Sequence, residues 1–133
     1  RAEGADISFV KCITWQSGQD GLNPGKYGSV DSSFVRVNDD SLKPWDSYQL
    51  YTNITIWQLT IGWPINLGWW EWDQADVDTA LDSIHVIHNH NWVSSPDWPV
   101  SQSGQCVIGA VYGSGSVKRG YKVKNLFVET ACS

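Results

Sequence analysis

Three aspartates are the residues of this chain best suited to chemistry. Asp20 lies in Gly18-Gln19-Asp20-Gly21, and Asp39 and Asp40 adjoin in Val37-Asn38-Asp39-Asp40. Two carboxyl groups in opposite protonation states can cleave a glycosidic bond. One protonates the leaving oxygen while the other activates water. Adjacent carboxylates with a third acid nearby split their pKa values, because like charges at close range resist ionising together. The same residues also serve as plain turn formers, since Asp-Gly and Asn-Asp-Asp favour turns.

Lys43 follows the acids closely. It either lowers a neighbouring carboxylate or is simply solvated, and the sequence slightly favours the second. Trp45, Trp69 and Trp70 offer flat faces on which a sugar ring can stack. The wider cluster of Trp63, Trp69, Trp70 and Trp72 reads equally well as loop packing. His85, His88 and His90 suggest a metal at first sight. Strand alternation would put His88 and His90 on one face and His85 on the other, and two histidines do not make a site, so no metal is expected. Gly113-Ser114-Gly115-Ser116 reads as a loop, not a phosphate cradle, because no Lys-Ser/Thr pair follows it. Asn53-Ile54-Thr55 is a glycosylation acceptor triplet.

The whole composition narrows the partners. The chain has 133 residues, enough for one domain with a real core spanning 1–133. Its net charge of −5 with few charged residues excludes nucleic acid, which needs clustered Lys and Arg. No run approaches the roughly 20 apolar residues of a membrane span. Nine tryptophans are many for this length, and both sugar faces and core packing use them. Cys12, Cys106 and Cys132 are odd in number, so at least one is free or paired outside the chain. The abrupt start at Arg1 fits a mature product or a piece of something longer.

The elements that would hold these residues are strands. No helical period is sustained, whereas short β-rich runs recur at Ile7–Trp15, Phe34–Val37, Asn53–Leu59, Ile65–Trp69, Ser83–His88, Cys106–Tyr112 and Tyr121–Glu129. Phe9-Val10-Lys11-Cys12 and Phe34-Val35-Arg36-Val37 look like copies 25 residues apart. A repeat of that length suggests a parallel β-helix, whose coils stack about 4.8 Å apart. A β-sandwich is the ordinary alternative. The expectation is an all-β, right-handed parallel β-helix of about five coils, on its own or as a segment of a longer one. Open coil ends would then stack on another copy or on the remainder of a longer chain.

Several segments together resemble a known family. They are Gln19-Asp20-Gly21, Phe34 to Lys43, Thr55-Ile56-Trp57-Gln58 and Pro64-Ile65-Asn66-Leu67-Gly68-Trp69, with Val86-Ile87-His88 and Val107-Ile108-Gly109-Ala110 in the same register. The set resembles glycoside hydrolase family 49, the dextranases and isopullulanase. The spacing from Asp20 to the Asp pair also resembles the polygalacturonase-type β-helices. The resemblance implies a right-handed β-helix and inverting hydrolysis of an α-linked, dextran-type glucan outside the cell, without a cofactor. Carried over by position, Asp39 is the general acid, and Asp20 and Asp40 hold and activate water. The alternative is a structural, filament-forming or carbohydrate-associated protein that keeps the scaffold without the activity.

Overall fold

The computed structural model describes residues 3–14, 18–59, 61–70, 78–89, 106–112 and 120–129. His90, Trp72, Cys132 and the Gly113–Ser116 loop lie outside the described residues. Nine strands follow in order: β1 (Asp6–Ser8), β2 (Lys11–Ile13), β3 (Ser29–Asp31), β4 (Phe34–Val37), β5 (Leu50–Gln58), β6 (Ile65–Trp70), β7 (Thr79–Asn89), β8 (Ile108–Tyr112) and β9 (Tyr121–Val128). All their pairings are parallel. Among the described residues there is no helix, and so none long and apolar enough to cross a membrane.

Parallel register lines up equivalent side chains. Ile7, Val30, Tyr51, Leu81 and Val123 form one column, and Cys12, Val35, Ile56, Val86 and Val128 form another. Leu22, Leu42, Ile65 and Ile108 pair in the same way, though Leu22 and Leu42 stand outside the named strands. The middle members of each column are buried together in the core. Burying one such aliphatic side chain contributes about 1.5–3 kcal/mol. A net hydrogen bond contributes about 1 kcal/mol. The columns therefore set the register, since a one-residue slip would turn every one of them outward.

The strands bend where residues take left-handed backbone. Phe9, Ser32, Asn53, Ser83 and Asn125 all have positive φ and stand at one position of the register. A second line of positive φ, Gly4, Tyr27, Tyr48, Asp78 and Gly120, precedes the strands. On that line Tyr27 and Tyr48 stack with centroids 5.1 Å apart. Asn tolerates this backbone better than most residues, because its short amide bonds locally. Asn53 uses its amide across strands instead, donating to Asp31 on β3 (3.0 Å). It is exposed on β5, the position expected to accept a glycan.

The strand-rich reading survives, but the right-handed parallel β-helix of about five coils does not. Seven strands belong to one sheet, ordered β1-β3-β5-β4-β2 with β7 and then β9 added to β5, and β6 and β8 make a separate pair. The coils expected from the sequence would each give one strand to each of several stacked sheets. Here β5 runs unbroken through the bend and pairs with β3 in its first half and β4 in its second. That continuity merges the short strands into one creased sheet. The distance along the chain between partners also drifts, from Ser29–Leu50 to Thr79–Tyr121, so no repeat length holds. The apparent copy is out of step as well. Phe34 pairs with Lys11, two residues beyond Phe9, because Phe9 turns out of the strand with φ 56°.

Cys12 and Cys106 are free thiols, and burial raises the pKa of each.

Candidate functional site

Three stretches of turn stack on one another beside the sheet: 18–22, 38–42 and 61–65. Their backbones form ladders. Asp39 donates its N–H to Gln19 O (3.1 Å), Gly21 to Asp40 O (2.8 Å), and Ser41 to Trp63 O (3.0 Å). The bridges Leu22–Leu42 and Leu42–Ile65 continue the stack. Two glycines make the close approach possible. A Cβ on Gly21 would stand 2.1 Å from Ser41 O, and one on Gly62 would stand 2.6 Å from Asp39 Oδ1. Gly62 also holds φ +73°, which side chains other than Gly rarely adopt.

This stack brings the three expected acids together. One oxygen from each of Asp20, Asp39 and Asp40 lies within 4.8 Å of the other two. That is closer than the roughly 6.5–9.5 Å between the carboxyls of an inverting hydrolase. The reason is the bond from Asp39 N–H to Gln19 O, which puts Asp20 directly beside the pair.

The three acids meet three environments. Asp20 is exposed, and its carboxylate pairs with Lys43 at 2.5 Å. Asp39 is partly exposed and accepts the Asp40 N–H (3.0 Å) on Oδ1. Burial, and then the charge of Asp20, lift its pKa above the ordinary carboxylate value. Asp40 is only 7% exposed. It accepts the Trp63 N–H on Oδ1 (2.9 Å) and the Asn66 amide on Oδ2 (2.6 Å). Those bonds favour the charged form, yet burial outweighs them and carries its pKa to about 7.

Lys43 is not the solvated cation favoured from sequence. Its side chain is mostly covered, lies 3.9 Å from the centre of the Trp45 ring, and ends on Asp20. Trp45 in turn is 7% exposed and donates its indole N–H to Asn66 O (2.9 Å). Its ring supports Lys43 and offers no open face for a sugar, contrary to expectation. Trp63 is buried too, packed so closely over Gly109 that a Cβ there would stand 2.4 Å from its ring. Trp69 and Trp70 close strand β6.

Two buried amides were not anticipated. Gln58, wholly buried, accepts from Ser41 Oγ (2.6 Å) and donates to Asp39 O (2.7 Å) and Ile61 O (2.6 Å). Asn66, equally buried, holds Asp40. The available signal was a polar residue inside an apolar strand run, since a buried amide needs partners.

His85 and His88 lie elsewhere. A register shift in the β5–β7 pairing, between Ile56 and Trp57, breaks the expected alternation, so His85 and His88 both stand away from the buried face. His85 meets Glu129 (2.7 Å) and His88 tilts against Trp57 at 5.2 Å. The acid cluster could span a small cation, but Lys43 already supplies positive charge there, and both oxygens of Asp40 accept N–H groups. The arrangement suits acid–base chemistry. Comparison with protein-family models, curated proteins and solved structures finds no match to this chain.

Proposed function

We propose that the chain carries the acid–base site of a glycoside hydrolase acting on an α-linked, dextran-type glucan outside the cell. The observation that supports it is the convergence of Asp20, Asp39 and Asp40 in three unlike environments. Asp39 is reachable and keeps its proton above the ordinary carboxylate range, so it donates to the leaving glycosidic oxygen. Water attacks the anomeric carbon as that C–O bond breaks. Asp20, held beside Lys43, takes the proton that the water loses, and Asp40 orients the water from the buried side. No cofactor enters the reaction.

Reducing-sugar release from dextran tests the proposal. Asp39→Asn should lower the rate by about 10²- to 10⁴-fold, the usual contribution of a positioned proton donor. The acids stand closer than the usual inverting separation, so NMR of the first-formed product decides the stereochemistry: an inverted anomer fits direct attack by water, and a retained anomer would overturn that step. Wild-type protein that releases no sugar from any α-glucan would end the hydrolase reading.

A second reading has its own observation. Asp40 accepts a bond on each oxygen and Asp20 is paired with Lys43, so the cluster is satisfied without a substrate. A carbohydrate-associated protein without activity would keep this arrangement to fix the geometry of the turn stack. It would bind dextran in a pull-down and leave it uncut.

A further inference from the structure

We propose that Asn66 is a positioning residue that ties the two arms of the acid site together. The inference rests on the acid–base reading above and deepens it. Asn66 is wholly buried at the start of β6, and each of its polar groups has a defined partner. Its backbone N–H donates to Leu42 O (2.9 Å), and its backbone carbonyl accepts the Trp45 indole N–H (2.9 Å). Its side-chain oxygen accepts the Gly68 N–H (2.9 Å). That last bond decides which way the amide faces, because only an oxygen can accept from a backbone N–H. The NH₂ must therefore point at Asp40 Oδ2, where it stands at 2.6 Å.

Both arms start here. Through its side chain Asn66 holds Asp40, whose own N–H is bonded to Asp39 Oδ1 (3.0 Å). Through its carbonyl it holds the Trp45 ring, which carries Lys43, which pairs with Asp20. The proton donor and the water-activating carboxylate are thus set by one buried residue that touches neither. The groups facing Asp40 are Asp39, Asp20, the Trp63 N–H and Asn66. Among these, Asn66 is the only side chain that donates to Asp40. Asp in its place would set a second carboxylate against Asp40, and Leu would fill the space without donating.

Carbon-13 titration of the aspartate carboxyls tests this apart from turnover. In the wild type, the Asn66 side-chain amide protons should shift with the Asp40 midpoint. In Asn66→Leu, the Asp40 midpoint should rise by about one pH unit, as loss of a donor to the charged form requires. With dextran as substrate, kcat should fall about tenfold or more while KM changes less than about threefold. Wild-type amide protons that ignore the Asp40 titration overturn the proposal, with no variant needed. So does a folded Asn66→Leu protein whose Asp40 midpoint stays within about 0.2 unit of wild type. If the titrations behave as expected but the wild type cuts no glucan, the hold of Asn66 on Asp40 stands and the hydrolase reading falls.

Discussion

Asp31 on the crease and Asp40 in the acid cluster are each held by hydrogen bonds, and their pKa values move in opposite directions. Asp31 accepts from Thr52 (2.5 Å), Ser32 (2.8 Å) and Asn53 (3.0 Å), and its pKa is lowered, chiefly by the Thr52 bond. Asp40 accepts from Trp63 and Asn66, and its pKa is raised to about 7. Asp31 accepts more bonds, but the bonds lower the pKa at both residues, so they do not explain the opposite signs. Solvent does: Asp31 keeps water, so the bonds decide, whereas Asp40 has lost nearly all of it, so desolvation decides. The crease uses an aspartate to hold strands together. The turn stack buries one, and burial makes it hold its proton up to about pH 7.

The pH dependence of stability should expose this contrast most strongly. Unfolded, Asp40 ionises near 3.8; folded, it ionises near 7. Below the lower value both states are protonated and folding loses nothing. Between the two values the unfolded chain releases its proton first, so stability falls as pH rises, and the loss is complete above about 7. A three-unit gap corresponds to about 4 kcal/mol at most. Asp39, also raised, adds to the loss with the same sign. Urea denaturation at pH 5 and pH 8 captures about two of those units, about 3 kcal/mol at most. Equal stability at both would show that desolvation does not dominate at Asp40.

A smaller effect comes from the backbone that supports the cluster. Gly62→Ala puts a Cβ against Asp39 at a left-handed position, and should cost about 1–3 kcal/mol. The Asp39 carboxyl should be displaced, with its NMR titration midpoint moving while that of Asp31 stays in place. An unchanged midpoint at Asp39 would mean that Gly62 serves the turn alone.

The smallest effect is at the crease and has the opposite sign. The lowered Asp31 pKa contributes stability that is present above about 3.8 and lost as pH falls through the folded value. Asp31→Asn should therefore remove part of the acid-side loss of stability and leave the loss between pH 5 and 8 intact. If Asp31→Asn instead flattened the loss near neutrality, the assignment of that loss to the acid cluster would be wrong.

The types of residue at the site were legible before the fold was. Asp20, Asp39 and Asp40 stood out as a set, and the stack brings them together. Strand content was legible as well, because Val, Ile and Thr runs bounded by turn residues admit little else. Trp45 misled, because an indole near acids looks the same in sequence whether its face is open or covered by Lys43. Lys43 misled for the same reason. The apparent copy at Phe9 and Phe34 misled because a local φ of 56° takes Phe9 out of its strand, and no residue type announces that. Asn66 and Gln58 escaped notice because their partners lie 26 and 19 residues away along the chain, at Asp40 and Asp39.

What the sequence determined by itself was the inventory: three acids close together along the chain, strands in place of helices, and aliphatic residues that line up into core columns. Only the tertiary structure decided how the strands share sheets, because that turned on β5 running unbroken through its bend. Only the tertiary structure also decided which acid keeps its proton. Proton affinity depends on lost water and on donors from other layers, and those are properties of the stacked chain rather than of any residue in it.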